Sequence, residues 1–201
     1  MKKKMTMMLL CAFFVFIIFG VVIMSFRPSK DSVQTDFTPN AFRIINTENY
    51  IDSQSDGQCS AYAAAYVMRH LGQEVTGEKL YPTIHRTFGF VSPKSVEKLF
   101  QEYEYYAKAY YGDINTLKKR LSEGVPVIAF IRIPNDTHYV VIVGYDEQYI
   151  YLADSLFENA TVSGEWYNRK ISTSEFLRVW KTNTLLPGNT YIIAAPKGSS
   201  H

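Results

Sequence analysis

Of the two cysteines in this 201-residue chain, Cys59 has the surroundings of a nucleophilic thiol. A short polar segment, residues 54–58, precedes it, and an alanine-rich run with the character of a helix follows. The dipole and the free N–H groups at a helix N-terminus favour the thiolate form of a cysteine. A thiolate can attack the carbonyl carbon of an amide bond, so the sequence is typical of a cysteine hydrolase.

A histidine and an aspartate further along the chain could complete the chemistry. Two apolar runs, residues 139–145 and 149–153, flank a polar turn, with His138 before the first run and Asp154 after the second. In one hairpin register the two residues pair directly, and in a register two residues along they are diagonal neighbours. Both registers put the side chains on one face, where a carboxylate could fix the tautomer of an imidazole and stabilise its charged form. Burying a polar pair in such an apolar hairpin costs free energy, which favours a functional explanation for His138 and Asp154.

These residues predict a Cys-His-Asp triad. Cys59 would attack a carbonyl carbon, His138 would move the thiol proton to the leaving group, and Asp154 would orient His138. Gln54, five residues before the cysteine, would hold the developing oxyanion together with the backbone N–H of Cys59. Gln58 is a second candidate for that role, but it adjoins the cysteine, and Gln54 is favoured.

Each of these residues also has an ordinary structural explanation. A lone cysteine is often a small core residue, a histidine at a strand start is often structural, and an aspartate at a strand end often forms a turn. The order of the residues, the glutamine spacing and the hairpin agree independently, which favours the triad. The remaining histidines show no ligand-like spacing, so we expect no metal and no cofactor.

The elements that must position these residues are mostly helices in the first half and strands in the second. Caps and glycines predict helices over residues 59–71, 93–103, 114–123 and 172–181. Strands are expected over residues 105–111, 126–133, 137–145, 149–155 and 190–196. Helices followed by an antiparallel sheet form an α+β arrangement.

The pattern resembles the papain superfamily, and within it the bacteriocin-processing (double-glycine leader) peptidases and their relatives. The resemblance rests on Gln54 and Cys59 before the alanine-rich helix, His138 opening one strand and Asp154 ending the next, and it covers roughly residues 45–195. It implies a papain-like fold in which the cysteine helix packs on the sheet. It also implies peptide hydrolysis through a thioester acyl-enzyme, without a metal.

The chain departs from that family next to the site and at its N-terminus. Ser60 follows the nucleophile where those peptidases usually have glycine, and Ser155 follows the aspartate where they usually have proline. Those peptidases are also commonly fused ahead of an export transporter, whereas here a single apolar segment comes first.

That segment differs from the rest of the chain. Three lysines precede an uncharged run over residues 5–26, which as a helix would span about 33 Å, against about 30 Å for a bilayer core. A cleaved secretory signal, the alternative, has a shorter apolar core and a small-residue cleavage site. The lysines should stay inside, so residues 1–26 predict a single-pass anchor in the cell membrane with the domain outside the cell. Residues 27–41 would be a linker and residues 42–197 the papain-like domain.

Composition limits the possible partners. The formal charge is +2 and the basic residues are scattered, which argues against a nucleic-acid partner. The expected partners are a peptide or protein substrate and, through the N-terminal helix, the membrane. If Cys11 lies in the membrane, Cys59 has no intrachain disulfide partner.

Three alternative functions remain open. A cell-wall peptide hydrolase usually has Asp-Cys-Ser at the nucleophile, which Gln58 does not match. A non-catalytic papain-like binding or immunity module would have no reason to keep all three triad residues. Acyl transfer by the same triad is the third, since an amine as well as water can release an acyl-enzyme.

Overall fold

The computed structural model describes residues 13–14, 27–45, 48–55, 57–87, 89–163, 166–182, 184 and 186–199. Its helices are α1 (Cys59–His70), α2 (Gly77–Leu80), α3 (Pro93–Glu102), α4 (Ile114–Leu121) and α5 (Thr173–Trp180), with one turn of 3-10 helix at Phe157–Asn159. Its strands are β1 (Ser29–Lys30), β2 (Phe42–Arg43), β3 (Tyr105–Tyr111), β4 (Val127–Ile133), β5 (Asp136–Tyr145), β6 (Tyr149–Ala153), β7 (Arg169–Ser172) and β8 (Thr190–Pro196).

Helix starts follow the side-chain caps that the sequence indicates. The Ser92 side chain accepts a hydrogen bond from the backbone N–H of Ser95 at the start of α3, and Ser172 does the same for Glu175 at the start of α5. Asp113 caps α4 in the same way. Because the caps and apolar runs are local signals, the expected helices and strands agree with the observed ones to within about two residues at each end.

The strands form one sheet in the order β1-β3-β8-β4-β5-β6-β7, and β2 pairs with the end of β5. Every pairing is antiparallel except that of β1 with β3. The predicted α+β class is therefore confirmed.

Apolar side chains cover both faces of this sheet. On one face α1 and α3 pack against alternate residues of the central strands, and on the other face α4 and α5 do so. The resemblance implied that the cysteine helix packs on the sheet, and α1 lies on β5 as expected. Helix α1 and strands β5 and β6, which carry the candidate site, thereby share one buried apolar cluster.

Part of the segment expected to be a linker, residues 27–41, is docked on the sheet. Ser29–Lys30 pairs with the end of β3, and the adjoining Asp31 is 4% exposed. Its carboxylate accepts hydrogen bonds of 2.9 and 3.0 Å from Arg120 and one of 2.5 Å from Tyr191. Burial raises the pKa of Asp31, but these bonds outweigh it and lower the pKa overall. No local sequence pattern marks such a long-range ion pair.

The run predicted to be a membrane anchor, residues 5–26, lies outside the described residues except for Phe13 and Phe14. Within the part of the chain that the structure describes, no helix has the length and apolar character needed to cross a bilayer.

Candidate active site

Helix α1 presents the only cysteine among the described residues. Cys59 is the first residue of α1 and is a free, half-buried thiol. The alanines and other small residues that follow it are almost fully buried, so the first turn of α1 lies close to the sheet. Gln58, the N-cap residue, makes no side-chain capping hydrogen bond to the first turn. The sequence prediction for the position of the thiol agrees with this arrangement.

The second part of the site is a buried hydrogen bond between strand ends. His138 lies near the start of β5 and Asp154 directly follows β6. The His138 Nε2 atom lies 2.7 Å from Asp154 Oδ1, and the two residues are 1% and 0% exposed. The hydrogen bond between the imidazole and the carboxylate is therefore buried.

The strand pairing seen next to the turn of the β5–β6 hairpin would not, if continued, bring His138 and Asp154 together. Next to the turn, Tyr145 pairs with Ile150. If that register continued along the hairpin, His138 would stand level with residue 157. Because strand side chains alternate between faces, His138 and Asp154 would then point to opposite sides of the sheet.

A β-bulge in β5 corrects the register. The pairing shifts between Ile142 and Gly144, and beyond the shift Val141 pairs with Ala153. In that register Val140 stands opposite Asp154, and His138 is the diagonal neighbour of Asp154 on the same face of the sheet. This is the second of the two registers expected from the sequence. The extra residue in β5 is therefore what lets the two side chains meet.

The carboxylate of Asp154 has further partners that the sequence did not indicate. Its Oδ1 also accepts the Leu156 N–H at 3.0 Å. Its Oδ2 accepts hydrogen bonds from Arg169 Nη1 at 2.9 Å and from Asn159 Nδ2 at 3.3 Å. The Asn168 side chain bonds both backbone groups of Asp154, at 2.8 and 2.7 Å. Arg169 and Asn168 were not predicted because β7 is short, and Asn159 lies in a single turn of 3-10 helix that the sequence did not predict.

These contacts determine the charge of the pair. Burial lowers the pKa of His138, but the hydrogen bonds and charges of Asp154 and Cys59 outweigh burial and raise the pKa to about 9. For Asp154, burial raises the pKa, yet the hydrogen bond from His138 and its other partners lower it overall. Since Asp154 occupies Nε2, Nδ1 is the ring nitrogen left for the Cys59 side chain. The His138 imidazole thus lies between the Asp154 carboxylate and the Cys59 side chain.

Gln54, the favoured oxyanion candidate, is tied to the residue that follows the aspartate. Its backbone N–H donates to the Ser155 carbonyl oxygen at 3.0 Å, and its Oε1 accepts from Ser155 Oγ at 2.5 Å. With Oε1 bound to Ser155, Nε2 is the part of the Gln54 amide that can donate a hydrogen bond to an oxyanion. The structure thus bonds Gln54 to the residue that follows Asp154, and among the described residues Gln58 has no such contact with Ser155.

Comparison with known proteins gives the family. A profile of the Peptidase_C39-like family matches residues 41–185, most of the chain. The chain belongs to the Peptidase_C39-like family. Membership makes it a cysteine-type peptidase and confirms the resemblance seen in the sequence. The comparison with curated proteins found no match.

Solved structures show the same fold as this Peptidase_C39-like chain. A C39-like peptidase from Bacillus anthracis is 19% identical, with a TM-score of 0.60, over 77% of this chain and 98% of that one. The peptidase domain of Streptococcus ComA, a bifunctional ABC transporter, is 14% identical with a TM-score of 0.57, over 74% and 98%. A double-glycine-motif protease from an AMS/PCAT transporter, solved with its leader peptide, is 22% identical with a TM-score of 0.56, over 77% and 94%.

Proposed function

We propose that this chain is a membrane-anchored cysteine peptidase that hydrolyses peptide bonds with Cys59, His138 and Asp154 through a thioester acyl-enzyme. The observation that carries the proposal is the buried imidazole of His138, with Asp154 on one ring nitrogen and the Cys59 side chain as its other partner. A thiolate, an imidazolium and a carboxylate in this order are the groups that acyl transfer requires.

Acylation begins with attack of the Cys59 thiolate on the scissile carbonyl carbon. The negative charge that develops on the carbonyl oxygen is stabilised by the Gln54 Nε2 hydrogens and the backbone N–H of Cys59. The His138 imidazolium donates its proton to the departing amine, which leaves a thioester on Cys59 and a neutral imidazole. Asp154 holds the imidazole in the orientation that this transfer requires.

Deacylation reverses the role of the histidine. Neutral His138 takes a proton from a water molecule, which attacks the thioester carbonyl. Collapse of the second tetrahedral intermediate releases the carboxylic acid product and restores the thiolate–imidazolium pair. Every proton is returned within one turnover, so the reaction needs no further co-reactant.

The proposed substrate is a peptide or protein chain outside the cell. One solved relative, the AMS/PCAT double-glycine-motif protease, was crystallised with a leader peptide, which supports a peptide as the kind of substrate. The three lysines before the apolar run support an anchor that leaves the domain outside.

The proposed triad predicts a reactive thiol whose reactivity depends on His138. At neutral pH, iodoacetamide should alkylate Cys59 at least about tenfold faster than an ordinary cysteine, since the thiolate is paired with an imidazolium. The His138→Ala variant should lose this advantage. The measurement is the rate of carbamidomethylation at Cys59, followed by peptide mass spectrometry. Labelling of the wild-type thiol at the rate of glutathione, or an unchanged rate in His138→Ala, would contradict the proposal.

A further inference from the structure

Arg169 bonds the carboxylate oxygen of Asp154 that His138 leaves free. Its Nη1 atom lies 2.9 Å from Asp154 Oδ2, while His138 occupies Oδ1. The guanidinium is 14% exposed and the carboxylate is fully buried. We infer that Arg169 is a positioning residue of the peptidase site, which acts through Asp154 by keeping this carboxylate ionised and fixed toward His138.

The local structure places Arg169 for this task. It is the first residue of β7 and pairs with Leu152, two residues before Asp154. The preceding residue, Asn168, bonds the backbone N–H and the carbonyl oxygen of Asp154. Two consecutive residues, Asn168 just before β7 and Arg169 at its start, therefore bond the backbone and the side chain of Asp154.

The charges at the site explain why a cation is needed there. An ionised carboxylate with no exposure to water is costly unless other charges and hydrogen bonds compensate it. Within the described parts of the chain, His138 and Arg169 are the cationic side chains in ion-pair distance of Asp154. When His138 gives up its proton during acylation, Arg169 is the cation that remains to hold Asp154 in its ionised form.

This role makes the pH profile of the site depend on Arg169. Its hydrogen bond is one of the contacts that lower the pKa of Asp154. An adjacent arginine favours the ionised form of a carboxyl group, so the loss of Arg169 should raise the pKa of Asp154. Asp154 would then be protonated at a higher pH, and a neutral carboxyl no longer supports the imidazolium. The acidic limb of the site's pH profile should therefore move to higher pH.

The experiment measures the rate of Cys59 alkylation by iodoacetamide from pH 4 to pH 8, which needs no knowledge of the substrate. In Arg169→Gln, which keeps a hydrogen-bonding side chain but removes the charge, the acidic limb should rise by about one pH unit. Arg169→Lys keeps the charge and should hold the limb close to its wild-type position. Arg178→Gln is the matched control, because Arg178 is exposed and pairs with Glu175 on α5.

Each outcome decides the role of Arg169. An acidic limb in Arg169→Gln that coincides with the wild-type limb would overturn it. If Arg169→Gln does not fold, as judged by circular dichroism, Arg169→Met takes its place because it also keeps an unbranched side chain and removes the charge: an acidic limb displaced to higher pH supports the role, and a limb that coincides with wild type overturns it. The inference rests on the proposed peptidase function, and the two fail differently. A wild-type thiol without elevated reactivity refutes the function itself, whereas an activated thiol that is indifferent to Arg169 refutes only this inference.

Discussion

His138 determines how the site responds to pH. Its imidazole is buried, yet hydrogen bonds to Asp154 and Cys59 raise its pKa to about 9. A histidine that protonates a leaving amine must carry its proton before the transfer, so the working form is the one that exists below this pKa. Burial alone would lower the pKa of His138, but its interactions with Asp154 and Cys59 raise the pKa by more.

We therefore predict that kcat/KM for a cleaved peptide falls as the pH rises through about 9, the pKa of His138. Alkylation of Cys59 needs no proton donor, so its rate should not fall over the same range. The comparison of the two profiles in one buffer series tests the assignment. A peptidase profile that stays level up to pH 10, or an alkylation profile that falls with it, would be incompatible with His138 as the proton donor.

At the scale of the elements, the docking of β1 connects the N-terminal part of the chain to the sheet. Asp31 adjoins β1 and receives both nitrogens of the Arg120 fork inside the protein. Removing one partner of a buried ion pair costs about 3 kcal/mol or more, and without Asp31 the Arg120 guanidinium would be left with the longer contact of 3.5 Å with the Glu123 carboxylate. The ion pair is therefore expected to matter for stability although it lies on a segment that looks like a linker.

Accordingly, Asp31→Ala should lower the free energy of unfolding by about 3 kcal/mol, measured by urea denaturation at pH 7. Asp36→Ala provides the control, since Asp36 is exposed in the same segment and should change stability by less than about 0.5 kcal/mol. Equal, small losses in the two variants would show that the buried pair contributes nothing beyond a surface residue.

The helices and strands differ in how well the sequence predicts them. Caps, glycines and apolar runs are local, so α1, α3, β3 and β8 could be predicted to within a residue or so. The short strands β1, β2 and β7 could not, because two to four residues carry too little pattern and form only by pairing with distant strands.

The candidate site likewise has residues that the sequence predicts and residues that depend on tertiary contacts. Cys59, His138 and Asp154 could be found from their types and order, and the structure brings them together. The bulge in β5 that selects the register is a tertiary feature, and hairpin length alone would have favoured a different alignment. The sequence did not predict the partners of Asp154, because their contacts depend on the three-dimensional structure. These partners are Arg169, Asn168 and Asn159.

At the scale of the whole molecule, the docked strand β1 follows the N-terminal apolar run closely in sequence. β1 starts at Ser29, three residues after that run ends at residue 26. In the proposed anchored form, this short connection would keep the peptidase domain next to the membrane surface. Substrates would then be chains that are presented at or released from the membrane.

The most direct test of the account is mass spectrometry of a peptide library, with Gly-Gly sites included, after incubation with wild-type protein, Cys59→Ala and Ser60→Ala. Ser60 is the matched control because its buried hydroxyl has no hydrogen-bond partner among the described residues, so its loss should leave the helix intact. We predict that wild type and Ser60→Ala cleave the same peptides and that Cys59→Ala cleaves none. Cleavage that persists in Cys59→Ala, or a wild-type protein that cleaves no peptide, would contradict a cysteine peptidase acting through Cys59.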